Sequence, residues 1–361
     1  MSIRGQFYVR LEHDQWEFAR ERRAAYDGAI VAARYLAPYP VGHPSEGQPA
    51  DRLAQAVVTA GRALVVDPDT PALCSGGAPR YSSAARLRAT GAASQVRLPL
   101  TVDQVRDVAA RDAFVDASMH DQRLASVVAA PHLEFRSPSD ERLTMNLQML
   151  RRVVRSAATQ MPIAFVQVTR ERLLRGVVAK VAAQYASTGV ERVYLRVRGV
   201  GEDASGLELD AYLTTIEAFA ASGMDVVADA VGRLGPVLIG GGALGFSSGG
   251  GACFRRVAKP LLAAGGGGGG EKVGVELAGR WTEVPREEAA RAACPEGGCR
   301  VGRPDATIDD VREHRLHTLS RLAREAVDSD PAAMIRSLRA SGLRQAREWA
   351  EVLERRERRA A

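Results

Sequence analysis

Lysine is nearly absent. Lys180, Lys259 and Lys272 are the only three in 361 residues, so almost all of the 49 basic residues are arginine. Aromatic residues are sparse at 5%, and four cysteines are too few for a disulfide scaffold. No apolar run approaches the roughly 18–20 residues that span a bilayer. The opening MSIRGQFYVRLEHDQWEF interleaves charges with aromatics and has no apolar h-region of the kind a secretory leader needs. A cytoplasmic location with no membrane partner is therefore the expectation. With 46% hydrophobic and 25% charged residues, the composition excludes global disorder and a collagen-like repeat. A chain of this length buries a full core without help from disulfides or metals.

What is abundant is arginine and glycine. The formal net charge is +6, and 35 residues are glycine. Two readings stand side by side: GC-rich codon usage, or a surface whose guanidinium forks match phosphate oxygens. The excess is strongest in the tail. From Pro331 onward eight arginines face four glutamates, ending in ERRERRAA. That pattern fits a solvated helix with intrahelical ion pairs, or one that touches nucleic acid.

The first 60 residues read as a helical lead-in, with WEFARERRAAYDGAIVAARYL at helical spacing, a Pro/Gly-rich break, then ADRLAQAVVTAG. From there short apolar runs recur: RALVVD (62–67), LASVVAAPHLEF (124–135), PIAFVQVT (162–169), RVYLRVRG (192–199) and MDVVADAVG (224–232). ALGFSSG (243–249) and KVGVELAG (272–279) extend the series, with a further candidate at QVRLPL (95–100). Helical stretches of a dozen or more residues separate several of them, which is the signature of βαβ units on a parallel sheet. Seven or eight such units fit an α/β, TIM-type (β/α)8 barrel over 61–285. The competing open doubly wound sheet lacks a G-x-G-x-x-G after its first strand. Residues 286–361 would form a zinc-binding and basic helical appendage. The polar stretch 68–97 reads as a lid or a disordered loop, and the six glycines 265–270 as a linker or loop tip.

Barrel catalysis sits at the C-terminal ends of the strands. The polar residues there are Asp67 and Asp69, Glu134 and Arg136, Gln167 and Thr169, Arg196 and Arg198, Asp229, Ser247 and Ser248, and Glu276. Carboxylates flanked by arginines suit a polar or anionic ligand with an acid, base or nucleophile at hand. Asp67-Pro68-Asp69 is equally good turn chemistry. The stretch GGGALGFSSGGG (240–251), with Gly245, Ser247, Ser248 and Gly249, either wraps amides around a phosphate or packs tightly against a neighbour.

Cys294 and Cys299 enclose Pro-Glu-Gly-Gly, and fourteen residues later come His314 and His317 at i, i+3. Structural zinc takes four N or S ligands, commonly a cysteine pair and helical histidines. A Cys294–Cys299 disulfide, or two cysteines and two surface histidines with no shared role, are the other readings. Cys74 and Cys253 are isolated and read as small buried hydrophobes.

A barrel followed by CPEGGC and then REHRLHTL is similar to the tRNA-guanine transglycosylase family, whose members exchange a base within a nucleic acid. The resemblance implies a barrel with a structural zinc on Cys294, Cys299, His314 and His317, and tRNA or DNA as partner. A second copy of the chain is a further expected partner. On this reading Asp67 would be the acid/base, Asp229 or Glu276 would take over as nucleophile, with Asp229 the leading candidate, and Asp69, Glu134, Arg136, Gln167, Arg196, Gly245, Ser247, Ser248 and Gly249 would bind substrate. The family's Asp-Ser-Gly-Gly-Phe-Gln is replaced by Val66-Asp67-Pro68-Asp69, and serine stands where its late-strand aspartate would be, at Gly245-Phe246-Ser247-Ser248. The other functional readings are a non-catalytic nucleic-acid or partner-binding barrel, and an unrelated barrel enzyme that binds a phosphorylated small molecule or a flavin.

Overall fold

The computed structural model describes residues 4–12, 15–21, 26–36, 51–74, 100–249, 272–277, 280–285, 308–341 and 345–360. Eight strands form one parallel sheet: β1 (Gln6–Leu11), β2 (Gly28–Ala32), β3 (Ala63–Asp67), β4 (Val127–Ala129), β5 (Met161–Thr169), β6 (Arg192–Arg198), β7 (Asp225–Asp229) and β8 (Gly245–Ser248). Their spatial order is β3-β2-β1-β8-β7-β6-β5-β4, so each strand lies beside its sequence neighbour and β8 returns to β1. β3 and β4, at the two ends of this order, are bridged by the Ser126 hydroxyl donating to the Leu64 carbonyl at 3.4 Å. The result is a nearly closed TIM-type barrel, the expected fold.

The strands begin earlier than expected. Gln6–Leu11 and Gly28–Ala32 are barrel strands, not parts of a helical lead-in. Among the described residues the helical parts of the lead-in are the short helix α1 (Trp16–Glu21), a 3-10 turn at Ala33–Leu36 and α2 (Arg52–Thr59). In QFYVRL, Phe7, Val9 and Leu11 face the helical layer while Tyr8 belongs to the inner cluster, a period of two that strand geometry imposes. The barrel is complete by Ser248. Consequently Lys272–Leu277 (β9) is no barrel strand but pairs antiparallel with β10 (Arg280–Pro285). Of the candidate at 95–100 only Leu100 is described, and it is not in a strand; the linker at 265–270 lies outside the described residues.

Two apolar clusters explain why the strands are hydrophobic on both faces. Inside the barrel are Tyr8, Ile30, Val65, Val127, Ala129, Ile163, Phe165, Tyr194, Val227 and Leu244. Between strands and helices lie Val9, Val31, Val66, Val166, Leu195, Ala228 and Phe246, packed by α6 (Glu141–Ser156), α9 (Gly206–Ala221) and other helices. For orientation, α3 is Thr70–Leu73, α4 Val102–Arg106, α5 Val108–Asp121, α7 Arg170–Leu174, α8 Ala182–Ala186 and α10 Gly235–Gly240. Asp140 caps α6 by accepting the Arg142 N–H, and a Ser205/Glu208 capping box opens α9, so both helices start where their strand loops end.

The C-terminal helices are α11 (Ile308–Asp328), α12 (Pro331–Ala340) and α13 (Ala346–Ala360). The tail is not a free solvated helix. Trp349 is buried and donates its indole N–H to the Ala204 carbonyl at 2.7 Å, while Arg356 bonds Asp210 at 2.5 Å and pairs with Glu217 on α9. Arg339 pairs with Glu354 between α12 and α13. Arg339 and Arg356 thus pair with neighbouring helices, while Arg336, Arg347, Arg355, Arg358 and Arg359 are exposed.

Candidate active site at the barrel mouth

Strand periodicity aims alternate residues inward, and the last inward positions form the mouth. On β1 this position is Arg10, buried to 7% exposure. Its Nε donates to Asp229 Oδ1 at 2.7 Å, and its Nη2 to Asp229 Oδ2 at 2.5 Å and Asp67 Oδ2 at 2.8 Å. Ser247, from β8, donates to Asp229 Oδ1 at 2.6 Å and accepts the Ala230 N–H at 2.7 Å. Both oxygens of Asp229 are therefore engaged. Ala230 follows with φ 61°, a left-handed conformation that a Cβ disfavours, held by that bond to Ser247.

Charge balance fixes the protonation of this group. Burial opposes the Arg10 cation, but Asp229 and Asp67 outweigh it and hold the guanidinium above its ordinary pKa. Burial likewise raises the Asp67 carboxyl, yet the charge of Arg10 above all, with that of Arg196, holds it below the usual carboxylate range. Arg196 Nη1 stands 3.8 Å from Asp67.

The β3–β4–β5 side differs. Asp69 lies just beyond β3 with φ 55°, its N–H donating to Asp67 Oδ1 at 2.8 Å and its carboxylate paired with Arg34. Burial, reinforced by the Asp67 charge, pushes its pKa up to about 6 despite Arg34. His132 lies beyond β4, 3% exposed, with its ring stacked on Phe165 at 5.6 Å. Its backbone N–H donates to Thr70 Oγ1 at 3.1 Å, and its Nδ1 is buried with no hydrogen-bond partner among the described residues. Burial lowers its pKa to about 4, so the imidazole is neutral at pH 7. Thr169 Oγ1, at the end of β5, is also buried and unpartnered among the described residues.

Next to this half opens a cavity of about 640 Å³, lined by Pro71, Leu133, Glu134, Arg136, Arg142, Arg172 and Arg198, among others. Arg198 pairs with Glu134 at 2.6 Å.

Of the residues singled out from sequence, Asp67, Asp69, Arg196 and Asp229 meet at the mouth with Ser247, and Gln167 lies beside Arg196 in the β5–β6 register. Glu134 and Arg136 line the adjoining cavity. Gly245 is a packing residue: a Cβ there would stand 2.4 Å from the Gln6 carbonyl oxygen, which β1 brings alongside. Ser248 is buried one residue on from Ser247, on the alternate face of β8, and Gly249 leaves the strand with φ 98°. Arg10, Arg34, His132, Arg142 and Arg172 were not singled out. The signals were the two-residue alternation of QFYVRL, a histidine three residues past VVA, and arginines in the first turns of the helices after β4 and β5.

His314 is buried on α11, where burial lowers its pKa to about 4, and His317 lies one turn on. Cys294 and Cys299 lie outside the described residues, as does Cys253. Among the described residues no three metal-ligating side chains cluster. Cys74 is exposed rather than a buried hydrophobe, and no described helix is long and apolar enough to cross a membrane.

No family model matches this chain, and no curated protein matches it. Solved structures similar to it include a GH10 xylanase of Thermobacillus composti (14% identity, 63% of this chain and 67% of that one, TM-score 0.38). Xylanase B of Clostridium stercorarium F9 is similar at 11% identity, over 63% and 70% of the two chains, with TM-score 0.36. Xylanase XynB of Paenibacillus barcinonensis, solved with a conduramine derivative, is similar at 12% identity, over 63% and 68%, with TM-score 0.35. At these scores the likeness carries no inference about activity; the barrel assignment rests on the strand order itself.

Proposed function

We propose that this chain is a barrel enzyme that moves protons to and from a polar small molecule at the Asp69–His132 side of the mouth. The observation that carries the reading is a buried imidazole whose Nδ1 lacks a partner among the described residues, held by its backbone bond to Thr70 next to Asp69, a carboxyl whose pKa burial raises to about 6. A general acid–base group works best with a pKa close to the working pH, and Asp69 is tuned there by burial. In this reading Asp67 and Asp229 do not attack substrate. They hold Arg10, and Asp67 also orients Asp69 by accepting its N–H.

The test is solvent deuterium incorporation into a panel of phosphorylated, carboxylated and neutral polar metabolites, followed by proton NMR. Wild type is expected to label one class, with Asp69→Asn and His132→Gln each slowing it by about 10²-fold or more. Labelling that is unchanged in both variants would overturn the reading. A second reading, base exchange through Asp229, is favoured by that carboxylate's place at the mouth. It requires Asp229 to part from both Arg10 and Ser247. Incorporation of labelled guanine into tRNA or DNA, lost in Asp229→Ala, would select it.

A further inference from the structure

We propose that the cavity beside the mouth is a phosphate subsite that holds the phosphoryl group of a phosphorylated small-molecule substrate. This names the substrate class of the site proposed above and rests on that reading. Four guanidinium groups line the cavity, those of Arg136, Arg142, Arg172 and Arg198, against the single carboxylate of Glu134. Arg198 is the one paired with Glu134. Arg142 and Arg172 are each anchored by one arm to the main chain: Arg142 Nη1 donates to the Glu134 carbonyl at 3.4 Å and Arg172 Nη1 to the Arg136 carbonyl at 2.8 Å. Among the described residues neither pairs with a carboxylate. Each thus has its planar fork held in place with N–H groups to spare, which is the arrangement that recognises phosphate oxygens bidentately.

Size and placement choose among anions. About 640 Å³ falls within the roughly 300–1,000 Å³ of small-ligand pockets. Pro71 and Leu133 give the cavity an apolar wall beside the arginines. Leu133 is next to His132 in the chain, Pro71 stands two residues past Asp69, and the His132 N–H bond to Thr70 ties these two walls together. Asp69 and His132 do not line the cavity themselves; they lie at the adjoining ends of β3 and β4, so a molecule whose phosphoryl group sits among the arginines would extend toward that side of the mouth. A nucleic-acid backbone running across the same opening would meet the carboxylate of Glu134 among the arginines, so a small phosphomonoester fits better than a polyanion.

The experiment is calorimetric titration of the full chain with inorganic phosphate, phenyl phosphate and a short single-stranded oligonucleotide. Wild type is expected to bind both phosphates, with phenyl phosphate the tighter. Arg142→Gln/Arg172→Gln should weaken both by about tenfold or more, and Arg142→Lys/Arg172→Lys by less, since charge is kept while the fork is lost. Arg151→Gln, on the same helix as Arg142 but outside the cavity, should change nothing; far-UV circular dichroism checks that every variant folds. Absence of phosphate binding by wild type, or equal binding by the double variant, overturns the subsite. So does an oligonucleotide that binds through the same arginines and displaces phosphate. The binding readout is independent of turnover. If phosphate binds as expected but deuterium labelling survives Asp69→Asn and His132→Gln, the subsite stands and the acid–base reading fails.

Discussion

The two halves of the barrel mouth use the same residue types to opposite ends. On the β7–β8–β1 side, Arg10, Asp229 and Ser247 are joined by three short hydrogen bonds, Ser247 accepts a fourth from the Ala230 N–H, and a fifth from Arg10 reaches Asp67. On the β3–β4–β5 side, His132 Nδ1 and Thr169 Oγ1 have no partner among the described residues, Asp69 carries a raised pKa, and a cavity with excess arginine opens beside them. Burying a polar group without a partner costs about 1–3 kcal/mol, so unsatisfied groups persist where a ligand or water completes them. The saturated half is a brace, and the unsatisfied half is where chemistry has room.

Breaking the brace should have the largest effect on stability. Arg10→Met leaves two buried carboxylates without their cation and should cost about 3–5 kcal/mol in urea denaturation. A loss below about 1 kcal/mol would mean that the network contributes little.

Acidification separates the two members of the unsatisfied half, because their shifts have opposite signs. Asp69, with a folded pKa near 6 against an ordinary 3.8, favours the folded state while protonated; that contribution is complete below about pH 4 and is lost as pH rises through 6. His132, near 4 when folded against 6.5, contributes stability above pH 6.5 that is lost as pH falls through 4. The slopes offset each other in the wild type. Asp69→Asn should therefore lose about 2–3 kcal/mol more than wild type between pH 7 and pH 4, and His132→Gln should gain relative to wild type over the same span. Parallel stability–pH curves for all three proteins would remove the assigned shifts.

Smaller changes sharpen the brace. Ser247→Ala removes a donor to Asp229 and the acceptor for Ala230, and should lower stability by about 1–2 kcal/mol. Ala230→Gly relieves the left-handed φ of 61° and should raise stability by about 1 kcal/mol, seen as a higher Tm. A drop in Tm would show that Ala230 is not strained.

The periodic parts of this molecule were legible in its sequence. Runs such as PIAFVQVT and RVYLRVRG are apolar on both faces because the barrel core and the helical layer both claim them, and their strand ends gave Asp67, Asp69, Arg196 and Asp229. What escaped were β1 and β2; in β1 a charged residue inside QFYVRL masks the strand although Arg10 is buried by its two carboxylates. Without β1 the partner of Asp229 could not be named, and the aspartates looked free to act as nucleophile and acid. His132 was hidden for a related reason: burial against Phe165, not any motif, sets its pKa. Such long-range pairing, 219 residues between Arg10 and Asp229, leaves no local trace.

The most direct test of the two-sided mouth is a nitrogen-15 NMR titration of the side chains with phenyl phosphate at pH 7. The His132 ring nitrogens and the Arg142 and Arg172 Nε signals should shift as the ligand saturates, while the Arg10 Nε signal stays where it is. Movement of Arg10 with an unmoved His132 would place the ligand on the opposite half and contradict the account.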